Sequence, residues 1–128
     1  MSGETVDLGT GCDLTNRIFG TFGDNSIGAE FVLHAAYPAG ATVTTSWSSI
    51  TGTGPWSPTH TFVQCVDDQN RLLFRQFHDP GSGAGTATAT LGAATPRLRW
   101  GLGTSVGGTG MTISWNGVNA HAAPCGPP

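Results

Sequence analysis

The chain has 128 residues, with 20 Gly, 8 Pro, five Arg, no Lys and a formal net charge of −3. That length suits one domain, and with only 10% charged residues the high net charge of a disordered chain is missing. The same numbers exclude a coiled coil, which needs abundant Ala, Glu, Lys, Leu and Arg. They also exclude a basic nucleic-acid binder, since so few cations leave no electrostatic footprint for phosphate, and no apolar run reaches the 18 residues of a membrane helix.

Strand signals recur along the chain with turn residues between them. A short strand is expected over 5–8. Arg17–Phe22 follows and ends at Gly23-Asp24-Asn25. Ala29–Ala36 sets Phe31, Leu33 and Ala35 on one face and Glu30, Val32 and His34 on the other. Pro38-Ala39-Gly40 then turns the chain, because Pro presets φ and Gly tolerates φ > 0. Ala41–Trp47 alternates Val43, Thr45 and Trp47 against Thr42, Thr44 and Ser46. Ser48–Thr59 reads as a long loop carrying Trp56. His60–Val66 and Arg71–Phe77 form a hairpin across Asp67-Asp68-Gln69-Asn70. That oxygen-rich turn suits Asx side chains bonding their own backbone better than the six to eight oxygens of a calcium site. Thr86–Leu91, Pro96–Leu102, Met111–Trp115 and Val118–Ala122 complete the series. Gly117 marks a bulge between the last two. Eight to ten short strands and no helical period predict an all-β, jelly-roll-like antiparallel β-sandwich. We read a single domain over 1–128, with segments 1–16 and 122–128 as extended arms.

Three cysteines, Cys12, Cys65 and Cys125, show no C-x-x-C spacing, which disfavours zinc ribbons and thioredoxin-like sites. Cys65 lies in a strand-like run and reads as a small buried hydrophobe. Cys12 and Cys125 lie near opposite ends of the chain, where either a bridge or free thiols is open. Met1-Ser2-Gly3-Glu4-Thr5 has neither a basic nor an apolar leader region. Either the protein stays in the producing cell until released, or Met1 stands where a signal was removed.

Chemistry-bearing patterns are sparse. There is no His-x-x-x-His, and the four His are scattered. We therefore expect no catalytic residue, no metal and no cofactor. Sugars present flat C–H faces edged by hydroxyls, so an exposed aromatic ring with planar hydrogen-bonding side chains is the pattern of interest. Trp56, in a Gly/Pro/Ser loop, is the candidate platform or else a loop anchor. Trp47, Trp100 and Trp115 follow strand alternation and read as core. Arg97 and Arg99 share a face and bind hydroxyls or carboxylates in fork geometry, or else pair with Glu30 or an Asp nearby. With Asn116 these make the candidate ligand set Trp56, Arg97, Arg99 and Asn116.

The stretches 31–43, Pro96-Arg97-Leu98-Arg99-Trp100-Gly101-Leu102 and 107–118 together resemble the opening, late and closing strands of carbohydrate-binding-module-like jelly rolls. In that family the closing strand often runs into Asp-Asp-Val; Asn116-Gly117-Val118 stands there instead, which removes the carboxylates for a structural calcium ion. Domains of this kind occur in secreted glycosidases and in tail, fibre and decoration proteins of tailed phages. The resemblance therefore implies a non-enzymatic virion structural protein. It would decorate a phage capsid or tail as a self-associating oligomer and contact host glycans. The alternative is a secreted carbohydrate-binding lectin module. Neither reading calls for nucleic acid or membrane insertion.

Overall fold

The computed structural model describes residues 4–22, 27–54, 60–77, 83–104 and 112–127. Ten strands are present among the described residues: β1 (Glu4–Thr10), β2 (Asp13–Phe22), β3 (Ile27–Tyr37), β4 (Thr42–Trp47), β5 (Ser49–Thr53), β6 (Thr61–Val66), β7 (Leu72–Phe77), β8 (Gly85–Thr90), β9 (Thr95–Thr104) and β10 (Thr112–Ala123). The first sheet runs β1-β3-β9-β6-β7. The second runs β2-β10-β4-β8, with β5 also paired to β10. All pairings are antiparallel except β1 with β3. From β2 onward, strands β2, β4, β8 and β10 build one sheet and β3, β6, β7 and β9 the other. This is the double-sheet winding of a jelly roll, as the sequence predicts.

Alternation decides what lies between the sheets. Val43, Thr45 and Trp47 of β4 are buried, and so are Leu98, Trp100 and Leu102 of β9, with Ile113, Trp115 and Val118 of β10. Each buried Trp takes roughly 150–250 Å² out of water, a gross gain on the order of 4–6 kcal/mol at about 25 cal/mol per Å². Phe31 stacks on Trp100 with ring centroids 5.1 Å apart. Cys65 is a free, buried thiol in this core.

Three expectations shift. Residues 49–53, read as loop, form β5 on β10, in register from Asn116↔Ser49 to Thr112↔Thr53. Only Ile50 of that segment points inward, so the strand is held by backbone pairing and leaves almost no apolar signal. The last two predicted strands are one, β10, whose register slips between Trp115 and Val118, where Gly117 adopts φ 64°. Much of the two expected arms is built into the sheets. β1 runs parallel to β3, β10 extends to Ala123, and Gly126 bridges to Ala36. Cys12 and Cys125 form a disulfide across 113 positions of sequence.

Candidate functional site

Outward-facing side chains differ sharply between the two sheets. On the second sheet, Thr42, Thr44 and Ser46 of β4 lie opposite Thr90, Thr88 and Thr86 of β8. None of these hydroxyls bonds to another described residue. Beside them, Asn116 donates from Nδ2 to Ser49 Oγ and Thr51 Oγ1, both at 3.3 Å. The charged groups of this face that the structure describes, Asp13 and His121, pair with each other. β4, β5, β8 and β10 present no aromatic ring there, because Trp47 and Trp115 point inward.

The first sheet carries the planar and aromatic groups. Arg99 stands on β9 between Val32 and Val66. Its Nε lies 2.9 Å from Glu30 Oε2, a charge contact lacking the N–H alignment of a hydrogen bond. Its Nη2 donates to Asn70 Oδ1 at 2.7 Å. Thus the salt bridge to Glu30, one of the two readings of this arginine, is present. Arg97 sits opposite His34, whose Nε2 is 3.1 Å from Asp7 Oδ2. The Arg97 guanidinium has no partner among the described residues.

Across the β6–β7 hairpin, Gln64 faces Arg75 and Phe62 faces Phe77. Arg75 donates from Nε and Nη2 to the single oxygen Gln64 Oε1, at 3.0 and 2.8 Å. Its Cζ lies 5.1 Å from the Phe62 ring centroid, within cation–π range. The Phe77 ring tilts 58° against Phe62 with centroids 5.5 Å apart. Phe77 is 42% exposed and Leu72 54%, on the edge strand of the sheet. On β9 the neighbour of both Gln64 and Glu30 is Gly101, so no β9 side chain stands between them.

The hairpin turn holds this arrangement in place. Asp67 Oδ1 accepts from the Gln69 and Arg71 N–H groups, each at 2.9 Å, and Oδ2 from Arg71 Nε at 2.6 Å. Asn70 takes a left-handed φ of 59°, a conformation Asn tolerates. Burial pushes the Asp67 carboxyl up, but the Arg71 N–H, the Arg71 side chain and the Gln69 N–H outweigh it and hold the group below the ordinary carboxylate range. The turn is therefore the self-bonded Asx turn that the sequence suggests. Elsewhere, an apolar cleft of 380 Å³ opens where β3 ends and β9 begins, lined by Ala36, Tyr37, Pro38, Ala94, Thr95 and Pro96.

Of the sequence-derived set, Arg97 and Arg99 share the first sheet, Asn116 lies on the second, and Trp56 falls outside the described residues. Arg97 and Arg99 therefore do not share a surface with Asn116. Gln64, Arg75, Phe62 and Phe77 escaped sequence reasoning. The usable signal is hairpin arithmetic: the turn at 67–70 sets Gln64 against Arg75. It is blurred by Leu72-Leu73-Phe74, where the register slips and alternation fails.

No protein-family model matches the chain, and no characterised protein matches it in sequence. Solved structures do. One is Aeromonas hydrophila PliG, a periplasmic lysozyme inhibitor of g-type lysozyme: 10% identity over 94% of this chain and 99% of that one, TM-score 0.53. Another is the pre-peptidase C-terminal domain of a Bacillus anthracis collagenase: 9% identity over 92% and 97%, TM-score 0.50. At such identities these likenesses establish the β-sandwich fold. Carbohydrate-binding modules also occur among the matches. A CBM4 module aligns at 13% identity over 83% of this chain and 84% of its own, TM-score 0.47, and we rest no argument on it. Nothing in these comparisons points to a phage virion protein.

Proposed function

We propose that this protein is an exported, non-catalytic carbohydrate-binding domain whose ligand lies on the outer face of the first sheet, over Phe77, Gln64 and Arg75. The observation that carries this reading is the exposed Phe77 ring beside two planar hydrogen-bonding groups. An aromatic face receives the C–H side of a pyranose, while amide and guanidinium edges take its hydroxyls. The Cys12–Cys125 disulfide supports export, since such bonds persist in oxidising compartments. It also favours the lectin over the virion reading, because phage particles assemble in a reducing cell. The fold alone does not assign the activity.

A glycan array with the purified protein, followed by titration calorimetry, tests the proposal. Binding is expected for the wild type and at least tenfold weaker binding for Phe77→Ala. Unchanged affinity in that variant together with loss in Trp56→Ala would move the site to the 48–59 segment. An array with no hit at all would sink the carbohydrate reading.

A further inference from the structure

Arginines on the first sheet's outer face are not equivalent. Arg71 and Arg99 each meet a carboxylate, Asp67 and Glu30 respectively. Arg75 and Arg97 meet none among the described residues, and of these two only Arg75 is held in place by other side chains. Two of its five N–H donors converge on the neutral Gln64 Oε1, while its Cζ lies over the Phe62 ring. The outer edge of the fork, the Nη1 hydrogens and the second Nη2 hydrogen, is left without an acceptor among the described residues.

A guanidinium held over a ring by bonds to its inner edge has lost much of its freedom before any ligand arrives, so less is lost on binding. The geometry points to a preorganised seat for a carboxylate, which takes two parallel N–H···O bonds from such a fork. We infer that the ligand of this face is a carboxylate-bearing glycan, of the uronic or sialic acid class. Its carboxylate lies on the outer edge of Arg75, a ring hydroxyl accepts from Gln64 Nε2, and its C–H face lies on Phe77. Gln64 Nε2 bonds to no described residue, which leaves it available. The local charge agrees, since Glu30 and Asp67, described carboxylates close in the register of these strands, are each neutralised by their own arginine.

This inference rests on the glycan reading of the site, and the test separates the two. We would titrate the intact, disulfide-bonded protein with sialyllactose against lactose, and with oligogalacturonate against neutral galacto-oligosaccharide. A 3-O-sulfated galactoside serves as a third probe. At least one carboxylated sugar is expected to bind ten times more tightly than its neutral parent, with affinity falling as salt rises. Arg75→Gln should bring the ratio of carboxylated to neutral affinity down to about one, even as it weakens the neutral sugar through loss of the guanidinium's bonds to hydroxyls. Arg75→Lys, which keeps charge but loses the fork, should retain only part of it. Equal affinity for neutral and carboxylated sugars, a preference for the sulfated probe, or a ratio that survives in Arg75→Gln would each overturn the inference and leave glycan binding standing. Silence toward every sugar would overturn the glycan reading itself.

Discussion

Trp100 on β9 donates its indole N–H to Thr45 Oγ1 on β4 at 2.9 Å, and neither residue is more than 1% exposed. This bond crosses the interior from one sheet to the other. It explains why a Thr is tolerated at an inward position between Val43 and Trp47. Thr45→Val keeps the shape and removes the acceptor. The stranded indole N–H should cost about 1–3 kcal/mol, read as a lower denaturant midpoint with an unchanged slope. Thr45→Ser should cost less, and an unaltered midpoint in Thr45→Val would mean that the N–H finds another acceptor.

The disulfide closes a loop spanning 113 positions. In the chain-entropy model a closure of this size contributes about 4–5 kcal/mol. Replacing Cys12 and Cys125 together by Ser should therefore lower stability by several kcal/mol in chemical denaturation. Cys65 supplies an internal control. Burial, and then the Asp67 charge, push its thiol far above the ordinary range, so it carries no thiolate at neutral pH. One thiol per chain should react with a thiol reagent after unfolding and almost none before it. Rapid reaction in the folded state would contradict the buried placement.

Gly85 of β8 lies under the Trp47 ring. A Cβ built there would stand 2.2 Å from Trp47 Cζ2. Gly85→Ala must therefore push the indole out of its place between the sheets, at a cost of about 1–3 kcal/mol for overpacking. Gly92→Ala, where nothing lies within 4 Å of the added carbon, is the matched control. Comparable melting temperatures for the two variants would show that Trp47 repacks without penalty.

Asp67 links stability to pH. Its folded carboxyl is held below the usual value of 3.8, so the unfolded chain binds the proton more readily. Its contribution is complete above the unfolded value and is lost as pH falls through the folded one. Asp67→Asn should lower stability at neutral pH and flatten the loss below pH 4, as followed by urea titrations across that window. Asp7, also lowered, first by the Gly9 N–H and then by His34, is exposed, and Asp7→Asn should change the acid limb far less.

Much of the sandwich was legible because period-2 alternation survives wherever one face is buried. Val43, Thr45 and Trp47, and likewise Leu98, Trp100 and Leu102, could be assigned without coordinates. β5 was not legible, since Ser49, Thr51 and Thr53 face outward and Gly52 offers nothing to bury. The parallel place of β1 beside β3 depends on a neighbour more than 20 residues away, which local pattern does not encode. The site was less visible still. Arg99 could be matched to Glu30 as one option, but only the topology separates Arg97 and Arg99 from Asn116. Only the bulge near Leu73 decides that Phe77 joins Phe62 on the outside.

Two short segments seal the free side of β3. β1 pairs along it up to His34, the Gly11 N–H bonds to the His34 carbonyl, and Gly126 exchanges both backbone bonds with Ala36. Cys12 and Cys125 staple these two covers to each other. Once the sulfurs are parted, the two covers are no longer tied to each other, and what keeps them in place is backbone bonds, the Asp7–His34 contact, the Tyr37 hydroxyl's bond to the Gly11 carbonyl and the packing of Leu8. Wherever a cover lifts, the strand beneath it, rich in Phe31, Val32 and Leu33, offers a bare row of N–H and C=O groups to any passing chain. For such an edge the hazard is sheet-to-sheet aggregation, so the bridge safeguards solubility as well as the folded state.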